Sequence, residues 1–235
     1  VDGLLSDTWQ SAELGWGTHE QQTPSTLRQH DFGDQAAVYL TSHGANTLVQ
    51  SWTPQDGAHD AFLITHHEAI SIASFLTWRA HDGHIRYRPT VYYAYHPAPL
   101  THKSLRLWVA NNYATPQKKI LLRDTLTSGF DQLGVLFIFS GGCYWYGSTL
   151  QLSAARDIAP LNNATSLQVV AGIISAMSWI KKNPNAGIVE AEQMEPFTEI
   201  LNVAIPYLGE VSGVLDTWQP KQDNALQFCN FLVSE

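Results

Sequence analysis

The chain has 235 residues, of which 44% are hydrophobic, and it carries 21 acidic against 13 basic residues, a formal net charge of −8. A chain of this length and composition buries a substantial hydrophobic core. The charge excludes nucleic acid as a partner, since no run of adjacent Lys and Arg exceeds two residues. The most apolar segment, residues 167–180, contains Gln168, Ser175 and Ser178, so the sequence predicts no membrane-spanning helix.

Cysteine usage indicates the cellular compartment. Only Cys143 and Cys229 are present, far apart and without the spacing of a metal site, which is typical of a reduced, cytoplasmic protein. Val1 stands where Met is expected and no signal-peptide pattern follows it, so we expect a domain boundary there. The acidic excess either concentrates cationic ligands such as amines or serves solubility alone.

The amino-terminal half contains several short segments rich in β-branched and aromatic residues, with turn formers between them. These segments are 35–40, 47–53, 61–65 and 84–95. The last one follows Asp82-Gly83, a hairpin-turn signal, and contains Pro89, which indicates an edge strand or a bulge. The pattern predicts antiparallel strands, followed by a helix over residues 100–108, where apolar residues recur at helical spacing.

The carboxy-terminal half mixes strands and helices. Residues 133–139 are apolar nearly throughout, which is typical of a strand covered on both faces, and residues 144–149 are the predicted hairpin partner at the centre of the sheet. Residues 164–182 form the clearest predicted helix, capped by Asn163 and apolar all round, so we expect it to be buried. The other predicted elements are strands at 119–123 and 211–218, a helix at 192–204 and an amphipathic tail at 224–233.

These elements together predict an α+β fold, a two-layer arrangement of helices packed on a mostly antiparallel sheet. No repeat, low-complexity tract or linker interrupts the chain, so we assign residues 1–235 to a single domain.

The densest cluster of chemically reactive side chains is His66-His67-Glu68, which follows the apolar residues 61–64. Ionisable residues at the end of a buried strand are typical of a cleft, although they also occur where a strand simply meets solvent. The H-x-E spacing matches half of a zinc deaminase signature, but no Pro-Cys-x-x-Cys follows, and no metal site is predicted. Gly15-Trp16-Gly17 is incomplete as a dinucleotide fingerprint, because no strand is predicted before it and Glu20 replaces the third glycine.

Four strings are far more specific than composition. They are AELGWGTHE at 12–20, THHEAISI at 65–72, DQLGVL at 131–136 and YWYGS at 144–148. Together they resemble the bacterial homospermidine synthase family. The resemblance continues through residues 163–169, 183–190 and 206–218, and so covers nearly the whole chain.

The resemblance implies the second half of a two-domain enzyme, related in plan to saccharopine-type dehydrogenases. The other half, an amino-terminal Rossmann domain that binds NAD, is absent from this chain. In that family NAD⁺ oxidises putrescine to an imine, ammonia leaves, a second diamine condenses, and the retained NADH reduces the new Schiff base to homospermidine. The implied activity is therefore that of an aminobutyl transferase with NAD as its internal redox cofactor, and the isolated domain is expected to be inactive.

The resemblance also places substrate-handling groups at His66, Glu68 and Asp131. Both ends of a diamine are ammonium ions near neutral pH, and one end must lose a proton before it reacts. We therefore expect Glu68 and Asp131 to anchor ammonium groups, and His66 to handle a proton or act as a hydrogen-bond partner. Asp7 is a further candidate for substrate binding, at a position where the family more often carries the longer Glu. We expect these side chains to face one cleft.

Two alternatives stay open. The chain is otherwise a non-catalytic interaction or dimerisation domain of a saccharopine dehydrogenase-like oxidoreductase, or, with weaker support, a zinc deaminase. The resemblance implies putrescine and related diamines as ligands, and a Rossmann domain and a second copy of the chain as partners. The sequence does not decide between putrescine alone and mixtures that include spermidine.

Overall fold

The computed structural model describes residues 7–21, 27–32, 35–114, 126–220 and 226–233, with the backbone alone described for 28–32 and 35. The predicted strand at 119–123 and the start of the predicted tail lie outside these residues. Contacts within the chain cluster into two compact units, residues 1–118 with 218–235 and residues 119–217. Each unit is described by itself, and the assignment of residues 1–235 to one domain stays a prediction.

The described strands of the first unit all pair antiparallel, in three small sheets with the orders β1-β3-β2, β4-β5-β8 and β6-β7. Their bounds are β1 Ser11–Gly15, β2 Leu27–Phe32, β3 Gln35–His43, β4 Leu48–Thr53, β5 Gly57–Ile64, β6 Trp78–Arg79, β7 Ile85–Tyr87 and β8 Tyr93–Tyr95. The predicted strands at 35–40, 47–53 and 61–65 are thus confirmed. Asp82-Gly83 lies in the turn between β6 and β7, where Gly83 has a φ of +85° that favours glycine.

The predicted strand at 84–95 is wrong in its continuity, since residues 88–92 separate β7 from β8. Backbone groups of this stretch bond to the last residue of β1 and to the segment after it, instead of joining β7 and β8 into one strand. The Thr18 N–H donates to the Arg88 carbonyl at 3.0 Å, and the Val91 N–H donates to the Gly15 carbonyl at 2.9 Å. Pro89 has no N–H to give to a ladder, which suits this interruption.

Two helices pack on these sheets. They are α1, Glu68–Phe75, and α2, Pro99–Ala110, which confirms the predicted helix at 100–108. Phe62 and Ile64 of β5 pack against Leu105 of α2 in one buried cluster, with Tyr93 and Tyr95 of β8 at its margin. The core beside the end of β5 is therefore made by β5, β8 and α2 together.

The second unit is a three-stranded antiparallel sheet with helices, in the strand order β11-β10-β9. Its elements are β9 Phe130–Phe139, β10 Gly142–Gln151, α3 Leu152–Ile158, α4 Ala164–Lys182, α5 Phe197–Ala204 and β11 Glu210–Asp216. The hairpin of β9 with β10, the strand β11 and the helix α4 are as predicted. Asn163 caps α4, because its side chain accepts a hydrogen bond of 2.8 Å from the Ser166 N–H. The α+β class with antiparallel sheets is confirmed.

Three predictions for the second unit are wrong in detail. Among the described strands β9 lies at the edge of its sheet, and four apolar side chains on one of its faces are 42–51% exposed, so the prediction of a strand covered on both faces is wrong. α4 buries one face only, since Val169, Ile173 and Met177 are more than half exposed. The predicted helix at 192–204 begins only at Phe197, because Pro196 disfavours helical geometry in the residue before it. Across the described residues, no helix combines the length and apolarity needed to cross a membrane.

A buried carboxylate, that of Glu20, joins the carboxy-terminal segment to the rest of the first unit. Its side chain is 1% exposed. It accepts hydrogen bonds from the Thr90 hydroxyl at 2.7 Å and, through both oxygens, from the Phe228 N–H at 3.1 Å. The Nε2 atom of His19 lies 3.4 Å from the Glu20 carboxylate and 2.9 Å from the Leu226 carbonyl oxygen. The carboxylate thus has several partners in place of water.

The His19 ring should make the stability of the protein depend on pH. Its hydrogen bond to Glu20 raises the pKa of His19 above the ordinary value of 6.5, although burial opposes this. A raised folded-state pKa contributes stability that is fully present below pH 6.5 and is lost as the pH rises through the folded-state pKa. We therefore expect His19→Gln to lose less stability than the wild type between about pH 5.5 and about pH 8.5, as measured by urea unfolding. His81→Gln, an exposed control, should behave like the wild type, and an equal loss in all three proteins would contradict this assignment.

Candidate functional site

The candidate site begins where β5 leaves the core. Phe62 and Ile64 are buried against α2, and the next residues, Thr65 to His67, form a short link to Glu68, the first residue of α1. A carboxylate in the first turn of a helix interacts favourably with the unpaired N–H groups of that turn. The chain therefore changes from a buried strand to an ionisable cluster within four residues, as the sequence pattern indicates.

His66 and Glu68 form a hydrogen-bonded pair, in which the Nδ1 atom of His66 contacts the Oε2 atom of Glu68. An ionised carboxylate can only accept, so Nδ1 carries the proton and the Nε2 atom of a neutral ring presents its lone pair. Burial acts to raise the pKa of Glu68, but its own backbone N–H and the His66 ring outweigh burial, and the pKa lies below its ordinary value of 4.5. The pair thus combines a carboxylate that favours its charged form with an oriented imidazole.

Tyr93 covers one face of the His66 ring. The two rings stack with centroids 4.4 Å apart and an angle of 14° between their planes. Tyr93 pairs with Ile64 across the β5–β8 ladder, so His66, two residues further on, is its diagonal neighbour. Sequence reasoning missed this contact, since it depends on the register of β8 against β5, which the alternation of aromatic residues does not define.

Asp7 lies in the same unit as His66 and Glu68. It is half-buried in the helical turn at residues 7–9, four residues before Ser11. The Thr65 hydroxyl donates a hydrogen bond of 2.6 Å to the Ser11 carbonyl, which ties the end of β5 to the start of β1. Four residues reach no further than roughly 14 Å, which bounds the distance between the Cα atoms of Asp7 and Ser11.

Asp131 lies in the second unit, at the start of β9. It pairs with Leu150 of β10 beside the first turns of α4, where the Thr165 side chain makes a hydrogen bond with its carboxyl group. Burial raises the pKa of Asp131 above its ordinary value of 3.8, and the hydrogen bonds of Thr165 and of the Gln132 backbone only partly oppose this effect. A carboxyl group in such surroundings gains more than an exposed one from a cationic partner.

The structure therefore brings two predicted residues, His66 and Glu68, into contact, and it places Asp7 in the same unit and Asp131 in the other unit. The expectation of one shared cleft stays a prediction. Among the described residues, no three His, Cys, Asp or Glu side chains are grouped as a metal site requires.

The residues present do not fit a dinucleotide site at Gly15-Trp16-Gly17. A strand does precede this string, contrary to the sequence-based expectation, but β1 is antiparallel to β3 and the next described residues form a turn instead of a helix. A side chain at Gly15 would collide with Ala69 and Ala73, so this glycine allows α1 to pack closely on β1. We therefore assign no contact with NAD to this string.

Comparison with known proteins identifies the family to which this fold belongs. A family model described as the saccharopine dehydrogenase C-terminal domain matches residues 1–214. The chain belongs to that family.

The individual relatives are more specific. The chain is 46% identical over 222 residues to a homospermidine synthase of Mesorhizobium japonicum, and 47% identical over 221 residues to one of Blastochloris viridis, in both cases 94% of this chain and 46% of the relative. It also matches the crystal structure of a homospermidine synthase from Legionella pneumophila in complex with NAD, with a TM-score of 0.91 and 42% identity, over 99% of this chain and 53% of that one. The suspected resemblance is confirmed, and the chain spans about half the length of these relatives.

The hydrogen bond between His66 and Glu68 can be tested by carboxyl titration. We expect the Glu68 carboxyl to titrate below 4.5 in the folded protein, and His66→Ala to move its midpoint upward, because the variant removes the ring that favours the carboxylate. The measurement is the side-chain ¹³C shift of Glu68 against pH. His81→Ala, in the same unit, is the matched control and should leave the midpoint in place. An unchanged midpoint in His66→Ala would show that the two side chains are not paired in solution.

Proposed function

We propose that this chain is the substrate-binding and proton-handling part of a homospermidine synthase, which converts two putrescines into one sym-homospermidine and one ammonia. The observation that carries the proposal is the His66–Glu68 pair, which lies in a string typical of that family and in a chain 46–47% identical to two proteins of that name. Atoms balance in this conversion, since one carbon–nitrogen bond forms, another breaks to release ammonia, and no net oxidation occurs.

The proposed role of the pair follows from the protonation state of the substrate. Putrescine carries an ammonium group at each end near neutral pH, and an ammonium nitrogen has no lone pair with which to react. We assign proton uptake to the Nε2 atom of His66, because Nδ1 is held by Glu68. The Oε2 atom of Glu68 contacts His66, and we assign the second oxygen of this carboxylate to the ammonium group.

Asp131 and Asp7 are the other carboxylates that we assign to ammonium groups. Burial already disfavours the charge of Asp131, so an ammonium ion beside it would stabilise both charges. Asp7 is one methylene shorter than the Glu that is more usual in the family, so its contact with an ammonium group requires a closer approach of the diamine. This difference makes position 7 a candidate for setting the diamine preference.

Hydride exchange is the part of the reaction that we do not assign to these residues. Among the described residues, no strand is followed by a glycine-rich loop and then a helix, which is the arrangement that binds a pyrophosphate. The Legionella pneumophila relative is in complex with NAD and is about twice as long as this chain. We therefore propose that NAD binds to a separate, amino-terminal nucleotide-binding half, and that residues 1–235 alone have no synthase activity.

Turnover of putrescine by the full-length protein tests the assignments. We expect Glu68→Gln to lower kcat/KM by about 100-fold or more, because it removes the charge that orients both His66 and the ammonium group. Asp131→Asn should mainly raise the KM for putrescine. The measurement is homospermidine and ammonia formed with NAD present, and the matched controls are Glu210→Gln and Asp157→Asn, at exposed positions of the second unit.

An unchanged kcat/KM in Glu68→Gln would indicate that the region of the His66–Glu68 pair has only a structural role. It would favour the alternative of a non-catalytic domain. Loss of activity in Glu210→Gln as well would show that the effect is general and not tied to the pair.

A second proposal concerns assembly, and one observation favours it. One face of the sheet in the second unit presents large apolar and aromatic side chains that are 36–72% exposed. They are Leu133, Val135, Phe137, Phe139, Tyr144, Tyr146 and Leu215. Directly paired residues share a face, which joins Phe137 with Tyr144 and Val135 with Tyr146. We call this set the apolar sheet face.

We propose that a second copy of the chain covers the apolar sheet face. Large side chains bury about 150–250 Å² each, so the exposed fractions amount to on the order of 600 Å² per copy, close to the roughly 800 Å² per partner of a stable interface. No charged residue lies between Leu133 and Phe139, so two identical faces can meet without burying like charges.

Mass measurement tests this assembly. We expect the protein to have the mass of two copies by light scattering after size exclusion, and Phe137→Asp to give one copy, because the substitution would bury a pair of unpaired carboxylates. Leu161→Asp is the matched control, since Leu161 is fully exposed outside the sheet, and it should stay dimeric. A monomeric wild type, or a dimeric Phe137→Asp, would contradict the proposal.

A further inference from the structure

We infer that Tyr93 is a positioning residue, which holds the His66 ring in the orientation that the hydrogen bond with Glu68 and proton uptake at Nε2 both require. The inference rests on the proposed function of the His66–Glu68 pair. It begins from the stacking of the two rings, with centroids 4.4 Å apart and planes only 14° from parallel. This contact lies along one face of the imidazole, whereas the hydrogen bond fixes a single atom.

One hydrogen bond is a weak constraint on His66. Both partners reach solvent, since the His66 side chain is 37% and the Glu68 side chain 55% exposed. The imidazole can still rotate about the line from Nδ1 to the carboxylate, and Nε2 then sweeps through different directions. A ring stacked on one face removes this freedom, because rotation would lift the imidazole off its aromatic partner. The hydrogen bond with Glu68 fixes the tautomer of His66, and the stacking on Tyr93 fixes the plane of its ring.

Tyr93 is itself well held, which is what a positioning residue needs. Its backbone is in the β5–β8 ladder opposite Ile64, and its ring packs at the margin of the buried cluster of Phe62, Ile64 and Leu105. The orientation of His66 is thereby connected to the core of the first unit through a side chain with only two rotatable torsions. The position of the His66 ring, just beyond the end of β5, therefore depends on the neighbouring strand β8.

The stacking also suits the protonated ring. After His66 takes up a proton, its positive charge lies against the π face of Tyr93 and next to the Glu68 carboxylate, two surroundings that stabilise a cation. A proton acceptor misplaced by about 1 Å costs about 100-fold in rate, whereas binding of a diamine to carboxylates elsewhere is unaffected. Loss of the stack should therefore appear in kcat and not in KM.

The test compares Tyr93→Leu with Tyr93→Phe in the full-length protein, with His66→Ala as reference. We expect Tyr93→Leu to lower kcat about 10- to 100-fold, while its KM for putrescine stays within about 3-fold of the wild-type value. Tyr93→Phe keeps the aromatic face, so its kcat and KM should both stay within about 3-fold of the wild-type values. In ¹H–¹⁵N spectra the Nδ1–H signal, assigned through His66→Ala, should persist in Tyr93→Phe and be lost in Tyr93→Leu.

The outcomes distinguish the positioning role of Tyr93 from the proposed function of the His66–Glu68 pair. A Tyr93→Leu protein with wild-type kcat and an intact Nδ1–H signal overturns the positioning role, while an inactive His66→Ala leaves the proposed function in place. If His66→Ala keeps wild-type kcat, the proposed function itself fails. If Tyr93→Leu does not fold, the ¹H spectrum of the wild type tests the stacking instead. The ring current of Tyr93 should shift the His66 ring protons upfield. His66 ring protons without an upfield shift would overturn the inference.

Discussion

The antiparallel pairing of β5 with β8 is the interaction on which the candidate site depends. Phe62 and Ile64 of β5 lie in the core, and β5 ends at Ile64. His66 lies beyond this end and is not paired in the β5–β8 ladder. The neighbouring elements hold it instead, since β8 places Tyr93 against its ring, α1 begins with Glu68, and Thr65 bonds to the start of β1. A reactive side chain at a strand end needs such outside support, because regular secondary structure no longer defines its position.

Two carboxylates of the first unit illustrate how surroundings separate structural from chemical roles. Glu20 is almost fully buried and accepts hydrogen bonds from the Thr90 hydroxyl and the Phe228 N–H, so its charge is matched within the fold. Glu68 is more than half exposed, and its carboxylate contacts its own backbone N–H and the His66 ring, which leaves part of its hydrogen-bonding capacity open to a ligand. Both residues belong to family-typical strings, and only the structure distinguishes the residue that joins two segments from the one suited to a ligand.

Sequence reasoning succeeds where a local rule has no competitor. Asn163 before an apolar, helix-forming run gives a capped helix at the predicted residues, and the antiparallel strands follow from alternation and turn residues. It fails where partners are distant in sequence. The contact of Tyr93 with His66 requires the register of two strands about 30 residues apart, and the break at residues 88–92 requires knowing that Gly15 bonds to Val91 and Thr18 to Arg88.

The prediction that residues 133–139 are covered on both faces is wrong, yet its failure is informative. An uninterrupted apolar strand reflects burial in the state in which the protein functions, and that state includes any surface covered by another molecule. The outward side of α4 carries the same signature, with Val169, Ile173 and Met177 exposed beside a buried face. Isolated apolar residues on a surface need no partner, whereas a large contiguous apolar patch is typical of an interaction surface. The excess of apolar pattern over observed burial thus supports an interface on the second unit, while the ionisable strand end of the first unit keeps its access to solvent.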